Sequence, residues 1–215
     1  MTNNIKLQEV CKQLHIPVVG TTSWPLPIEA REILLESNPC PFTAADIDER
    51  LIGTTDFMPH SAIVCLFPYH VPHEGPTNLS RYTWATDYHL VVTDYLQRLV
   101  DELKTTAPDA SFSIHCDTSP LADRYMAYLA GLGFYGKNKC FINPTWGSYI
   151  VIGTVLTTLE FESNTPMTDT CMGCNRCITS CLGQCLNGNA FNYATCKSYL
   201  TQKKGDLTND EQAII

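Results

Sequence analysis

Apolar residues recur at helical spacing along three stretches of the chain. Over residues 4–15, Ile5, Leu7, Val10, Cys11 and Leu14 share one face and predict an amphipathic helix. Residues 27–37 read as a second helix, with Asn38-Pro39 as its stop. Residues 86–104 carry the strongest pattern. Tyr88, Val91, Val92, Tyr95, Leu99 and Leu103 form a stripe, Thr86 serves as cap, and Thr105 to Pro108 closes the helix. Shorter helices fit residues 44–52, opened by Thr43 with Asp46 three positions on, and residues 121–130. Unbroken apolar runs at 61–67 and 148–157 have strand length and β-branched content, so they predict buried strands. Residues 17–20 and 111–116 add two short strands, and the Pro- and Gly-rich stretch 68–80 reads as a loop. Asn78-Leu79-Ser80 spells a glycosylation sequon, which means nothing in a chain without a secretory signal. The mixture predicts an α/β or α+β body. From Glu160 onward the composition turns polar and cysteine-rich, which places a boundary within 160–166. The expected units are a body over 1–162 and a small cofactor-held module over 163–215. Near the end, Thr208 and Glu211 form a capping-box pattern, and Ala213, Ile214 and Ile215 would begin an apolar face. The sequence stops one turn into that helix, as a piece or a shortened relative of a longer protein would.

The composition fits a packed core: of 215 residues, 44% are hydrophobic and 17% charged. Fourteen Lys and Arg stand against 22 Asp and Glu, a net charge of −8. That balance disfavours a stand-alone nucleic-acid binder, since phosphate affinity comes mostly from cations. One local exception is the stretch 166–204, where Arg176, Lys197, Lys203 and Lys204 face a single carboxylate, Asp169. No apolar run is long enough to span a bilayer and the N-terminus has no apolar signal core, so a cytoplasmic, membrane-free protein is expected.

Cysteine changes the picture most, with 11 in the chain. Cys11, Cys40, Cys65, Cys116 and Cys140 are scattered and read as small buried hydrophobes. Cys171, Cys174, Cys177, Cys181, Cys185 and Cys196 crowd into the tail. The first four are spaced C-x2-C-x2-C-x3-C, the bacterial ferredoxin run. Thiolates three residues apart in a tight loop can address three irons of one cubane, and Gly173 lets the backbone curl around it. Structural zinc favours two Cys pairs with a longer spacer, and a disulfide knot suits a secreted chain. Six thiols complete one 4Fe–4S cluster but not two. Cys171, Cys174 and Cys177 are the surest ligands, with Cys181, Cys185 and Cys196 competing for the fourth place.

The body offers weaker motifs. Gly131, Gly133 and Gly136 spell G-x-G-x-x-G, but they follow a predicted helix instead of a strand. That is the inverse of a dinucleotide fingerprint. They read as glycines that end the helix and let backbone pass close to a ligand. Asp87-Tyr88-His89 matches the first half of a corrinoid-binding D-x-H-x-x-G pattern, but Val92 stands where Gly should and the segment is helical, so as that motif it is a coincidence. Asp117 sits at a predicted strand end. It suits a cap for the helix that follows, or a general acid in a cleft.

Together these segments resemble one family, the epoxyqueuosine reductases, relatives of the reductive dehalogenases. Ser80-Arg81-Tyr82-Thr83-Trp84 with Asp87-Tyr88-His89 resembles the family's S-R-Y-A-x-G-x-D-Y-H segment. Asp117-Thr118-Ser119-Pro120, then the run from Ala130 to Lys137-Asn138, resembles its Asp segment and A-G-L-G-x-x-G-K-N motif. Gly147-Ser148 to Leu156-Thr157 resembles a G-S-x-x-x-L-G-x-x-L-T strand, and Cys196 to Thr201 resembles C-I-S-Y-L-T. The resemblance implies a nitroreductase-like, cobalamin-binding body followed by a ferredoxin-like module with 4Fe–4S clusters. It implies reduction of epoxyqueuosine to queuosine in tRNA, fed by a low-potential electron donor. Asp117 takes the place of the family's proton donor. Arg81, Tyr82 and His89 would wall the active site, and Gly131, Gly133, Gly136, Lys137 and Asn138 would contact corrinoid or substrate. The family's Pro after the fourth Cys is Leu182 here, Cys185 is extra, and the second cysteine run and the C-terminal helical repeats have no counterpart. Two other readings need no proton donor: a corrinoid-binding or trafficking protein, and a single-cluster electron carrier.

Overall fold

The computed structural model describes residues 3–36, 40–43, 46–53, 55–72, 79–187 and 190–215. Its centre is a four-stranded antiparallel sheet in the order β1-β2-β6-β3. The elements run α1 (Asn3–Gln13), β1 (Val18–Ser23), α2 (Glu29–Glu36), α3 (Ile47–Ile52), β2 (Ser61–Pro68), α4 (Tyr88–Lys104), β3 (Phe112–Cys116) and α5 (Asp123–Leu129). A small ribbon of β4 (Phe134–Tyr135) and β5 (Phe141–Ile142) precedes β6 (Ile150–Thr157). The two unbroken apolar runs are the two central strands, and both of their faces are covered. Ala62, Val64, Leu66 and Leu156 pack with Met126 and Ala127 of α5 on one face. Ile63, Cys65 and Val155 pack with α1 and α4 on the other. Burial on both faces removes the alternation a half-exposed strand would show. The mixed α/β expectation holds, with every pairing antiparallel.

Several boundaries differ from the pattern. Asp46, not Thr43, caps α3: its carboxylate accepts the N–H groups of Asp48 and Glu49. Asp87, not Thr86, caps α4, and the buried stripe is Val92, Leu96, Leu99, Val100 and Leu103. Val91 is 37% exposed, and α4 approaches the sheet closely at Gly153 through Val92 and Leu96. A Cβ there would lie 2.7 Å from Val92 Cγ1 and 2.9 Å from Leu96 Cδ1. Strand β1 runs on past Gly20 to Ser23. Of the scattered cysteines, Cys11 and Cys65 are buried as expected, whereas Cys140 is exposed. The Asn38-Pro39 stop and Asn78 lie outside the described residues. Among the described residues no helix is long and apolar enough to cross a membrane.

After β6 the chain runs without helix or strand to α6 (Arg176–Thr179). This stretch is stitched along the outer edge of β1. Thr21 N–H donates to Asn164 Oδ1 at 2.7 Å, Asn164 N–H donates back to Thr21 O at 2.9 Å, and Ser23 N–H donates to Ser163 Oγ at 2.8 Å. A free sheet edge is thereby covered. The tail holds a ribbon of β7 (Leu186–Asn187) and β8 (Ala190–Phe191), then α7 (Lys197–Leu200) and α8 (Asn209–Gln212). The predicted capping box is present: Thr208 Oγ1 accepts Glu211 N–H, and the Glu211 carboxylate accepts Thr208 N–H.

Candidate active site

Strand β3 ends at Cys116, and the next residue turns sharply. Asp117 has φ +56°, a left-handed conformation that costs an ordinary L-residue on the order of 1 kcal/mol. The turn is closed by Thr118 N–H on Cys116 O at 2.7 Å and Ser119 N–H on Asp117 O at 2.8 Å. Asp117 does not cap α5, whose first residue is Asp123 and whose N-cap is Ala122. The capping alternative is therefore removed, and the side chain is turned the other way, toward the start of α4.

There it meets two consecutive residues. The Tyr88 hydroxyl donates to Asp117 Oδ2 at 2.5 Å, and His89 Nε2 lies 3.3 Å from the same oxygen. The two rings stack, with centroids 4.1 Å apart. His89 Nδ1 is in turn 2.8 Å from Asp87 Oδ1, which also accepts the His89 amide N–H at 2.9 Å. Oδ1 of Asp117 takes no hydrogen bond from any described residue. The hydrogen bond to Asp87, and then the charge of Asp117, hold the His89 pKa above the ordinary imidazole value. Burial, then the hydrogen bond to Asp117, drives the Tyr88 hydroxyl well above the usual phenol range.

An aromatic rim continues from this centre. Tyr88 meets Tyr82 edge-on at 5.8 Å, Tyr82 meets Tyr69 at 6.3 Å, and Tyr69 meets Tyr149 at 5.8 Å. Arg81 donates to Val71 O at 2.7 Å and spreads its guanidinium over Trp84 and Tyr149. Arg81, Tyr82, His89 and Asp117 therefore share one open face. Beside it lies a small pocket of about 230 Å³ lined by Arg124, Cys140, Phe141, Ser148, Ile150 and Ile152. A larger concavity of about 640 Å³ runs along α1 and contains none of these residues.

The glycine motif does something else. Gly131 ends α5 at φ +69°, and a Cβ there would lie 2.5 Å from Thr165 O; at Gly133 it would lie 2.2 Å from Ile142 O. At both positions the glycine admits neighbouring backbone of the same chain. Asn138 Oδ1 accepts Cys140 N–H and shapes the loop. Lys137 is committed to the cysteine run: its N–H donates to Cys171 Sγ at 3.2 Å and its ammonium to Asn175 Oδ1 at 2.8 Å. The motif thus couples the body to the tail.

In the tail, Gly173 at φ +79° and Asn175 at φ +53° curl the run before α6. Cys181 Sγ and Cys185 Sγ are 3.3 Å apart, and Cys196 lies beside Cys185. The Cys185 thiol and the backbone amides of Cys185, Leu186 and Gly183 stabilise Cys181 as a thiolate and pull its pKa down, while burial pushes Cys185 up to about 12. The donors are all sulfur, the chemistry an iron–sulfur cluster takes. Among the described residues no three His, Cys, Asp or Glu close around a single metal ion. For a corrinoid, the small pocket is too tight to enclose the macrocycle. The open face suits one flat against it, with Tyr82 44% and Tyr149 40% exposed.

Tyr88, Asp87 and Asp123 belong to this neighbourhood without having been singled out as its functional groups. The first two flank His89 in sequence and could have been read from the D-Y-H segment. Asp123 has no sequence signal; burial, with the nearby charge of Asp117, raises its pKa to about 7.

The antiparallel sheet, the strand-end carboxylate and the cysteine tail define a class: an α/β fold with a carboxylate at a strand end, followed by a thiol-rich stretch. Residues 57–118 match the family model described as epoxyqueuosine reductase QueG, DUF1730. The epoxyqueuosine reductase of Bacillus cereus is 38% identical over 131 residues, which are 60% of this chain and 34% of the relative. An epoxyqueuosine reductase crystallised with an epoxyqueuosine-modified tRNA-Tyr stem loop superposes with a TM-score of 0.84 at 26% identity, covering 96% of this chain and 59% of that one. A Bacillus subtilis epoxyqueuosine reductase, solved with its catalytic Asp loop swung out of the active site, superposes with a TM-score of 0.82 at 26% identity over the same shares. The chain is similar to the epoxyqueuosine reductases and spans between a third and three fifths of the length of these relatives.

Proposed function

We propose that this chain carries the reductive chemistry of an epoxyqueuosine reductase, removing the epoxide oxygen of epoxyqueuosine in tRNA to give queuosine. The observation that carries the reading is Asp117: a carboxylate held in a left-handed turn at a strand end, its Oδ2 tied to Tyr88 and His89 and its Oδ1 without a partner among the described residues, within an open aromatic face. Asp117 is the proton donor to the departing oxygen. Arg81 and Tyr82 line the approach, and the exposed rings of Tyr82 and Tyr149 offer flat surfaces for a macrocycle or a base. Cobalamin bound on this face would supply low-potential electrons, which no side chain can, and a 4Fe–4S cluster would deliver them singly from a donor protein. Cys171, Cys174 and Cys177 would hold that cluster, with the fourth ligand from Cys181, Cys185 and Cys196. The body over 1–162 and the module over 163–215 act as two units, with Lys137 bridging them. Arg176 and Lys204 would meet the tRNA backbone, while Lys203 is ion-paired with Glu211 and the Lys197 ammonium donates to Ile215 O, so binding is weak and weakens further with salt.

The test is single-turnover reduction of an epoxyqueuosine-bearing stem loop by the chain reconstituted with iron, sulfide and cobalamin. Asp117→Asn keeps the shape and loses the transferable proton. It should bind cobalamin normally and lose about 10²–10⁴-fold in rate. Near-normal turnover in that variant would remove Asp117 from the chemistry.

A further inference from the structure

Taking an oxygen out of an epoxide to leave a carbon–carbon double bond consumes two electrons and two protons and releases water. The reading above, on which this inference rests, supplies the electrons and one proton, that of Asp117. The second proton needs a source.

His89 bridges two carboxylates. Nδ1 is 2.8 Å from Asp87 Oδ1, and Nε2 is 3.3 Å from Asp117 Oδ2. A neutral imidazole has one N–H, so it satisfies only one of two ionised carboxylates. The other nitrogen would then aim a lone pair at an acceptor. The arrangement is satisfied when one more proton lies on the line between Nε2 and Oδ2. Asp87 is not free to relieve the need, because the oxygen that faces Nδ1 also accepts the His89 amide and caps α4. Tyr88 does not supply the proton either: it already donates to Oδ2, and its hydroxyl is a weaker acid than an ordinary phenol. The groups around the imidazole are Asp87 and Tyr88 from the start of α4, and Asp117 from the loop after β3. Cys116 and Asp123 lie behind Asp117. The His89 side chain is 39% exposed, so solvent can recharge it.

We propose that His89 is the site's second proton source, acting through Asp117. As the first carbon–oxygen bond breaks, its electron pair goes to oxygen, which takes from Asp117 the one proton shared on the line between Oδ2 and His89 Nε2. Solvent then recharges the exposed Nε2, and His89 passes this second proton to the Asp117 carboxylate, so that the ring is left neutral with Nδ1–H on Asp87. The second carbon–oxygen bond then breaks with its pair on oxygen, which takes that second proton and leaves as water. The two electrons of the reductant fill the new π bond. Asp87 and His89 are positioning and relay residues, and Asp117 alone meets the substrate.

The first test is histidine side-chain ¹⁵N NMR on the whole chain between pH 5 and 9, with His89→Gln assigning the signal among six histidines. His89 should carry protons on both nitrogens at pH 7. Its midpoint should fall by about half a unit or more in Asp87→Asn and in Asp117→Asn. A neutral ring at pH 7, indifferent to both substitutions, overturns the relay. The second test is single-turnover rate against pH in the cofactor-loaded chain. His89→Gln should slow turnover about tenfold or more, and should abolish the fall in rate as pH rises through the His89 midpoint. Wild-type rate and pH profile in His89→Gln, with Asp117→Asn slow, would sink the relay and leave the acid in place. A fast Asp117→Asn would instead sink the functional reading itself. The NMR result decides the shared proton whatever the turnover.

Discussion

The two halves of this chain are held by different physics. In the body, both faces of β2 and β6 are sealed by helices, and Ile63, Leu66, Leu96, Leu99, Met126 and Leu156 are wholly buried. In the described residues of 163–215 only Cys185 and Leu200 are buried, and each helix is four residues long. A four-residue helix does not stand on its own propensity. The body can pay its conformational entropy with apolar burial, whereas the tail has little but its thiols. Apolar area therefore specifies the first part and cannot specify the second.

The largest expected effect separates them by the metal. Without iron and sulfide, the tail should be cut rapidly by a broad-specificity protease and its amides should exchange freely, while β2 and β6 stay protected. On reconstitution the tail should become resistant, with about four iron and four sulfide per chain. Equal protease resistance of the tail with and without iron would show that it folds on its own contacts. About eight iron per chain would show that further thiols are recruited.

The reverse experiment damages the body and spares the tail. Leu156 is fully buried in the layer shared with α5. Leu156→Ala should cost about 2–5 kcal/mol of body stability, read by urea denaturation. Iron content should stay unchanged. Loss of iron in parallel would mean that the coupling through Lys137 to Cys171 and Asn175 makes one cooperative unit of the two.

The same division decides what could be read in advance. The strands at 61–67 and 148–157 were plain from their apolar runs, because burial on both faces leaves a composition signal. The cysteine run was plain from spacing alone. The caps of α3 and α4 were missed by one to three residues, since Thr43, Asp46, Thr86 and Asp87 are all acceptable caps and only packing against the sheet chooses among them. Asp117 could be placed at a strand end, but not distinguished from a cap until its left-handed turn aimed it at Tyr88. The glycine motif was only half legible, because G-x-G-x-x-G records close approach without saying what approaches. Here it is Thr165 and Ile142. Asp123 left no trace, because its burial comes from contacts among segments distant in sequence.

Asp123 also gives the finest probe of the body. It opens α5, where the N-terminal amides favour an anion by about 0.3–1 kcal/mol, and Arg124 and Arg50 also lower its pKa. Burial and the charge of Asp117 outweigh them and raise its pKa to about 7. The folded state thus holds this proton more tightly than the unfolded chain, where an aspartate titrates near 4. Stability linked to this group is fully present below pH ~4 and is lost as pH rises toward 7 and beyond. Each unit is worth about 1.4 kcal/mol, and partial exposure brings the expected total to roughly 1–3 kcal/mol. Asp123→Asn, neutral at every pH, should match the wild type near pH 4 and exceed it by that amount at pH 8. Denaturation midpoints across pH 4–8 measure it. If the difference between the two proteins is constant with pH, Asp123 is ionised throughout and the helix N-terminus, not burial, governs it. If the difference appears only above pH 5 and vanishes in Asp117→Asn, repulsion between the two carboxylates is the larger cause.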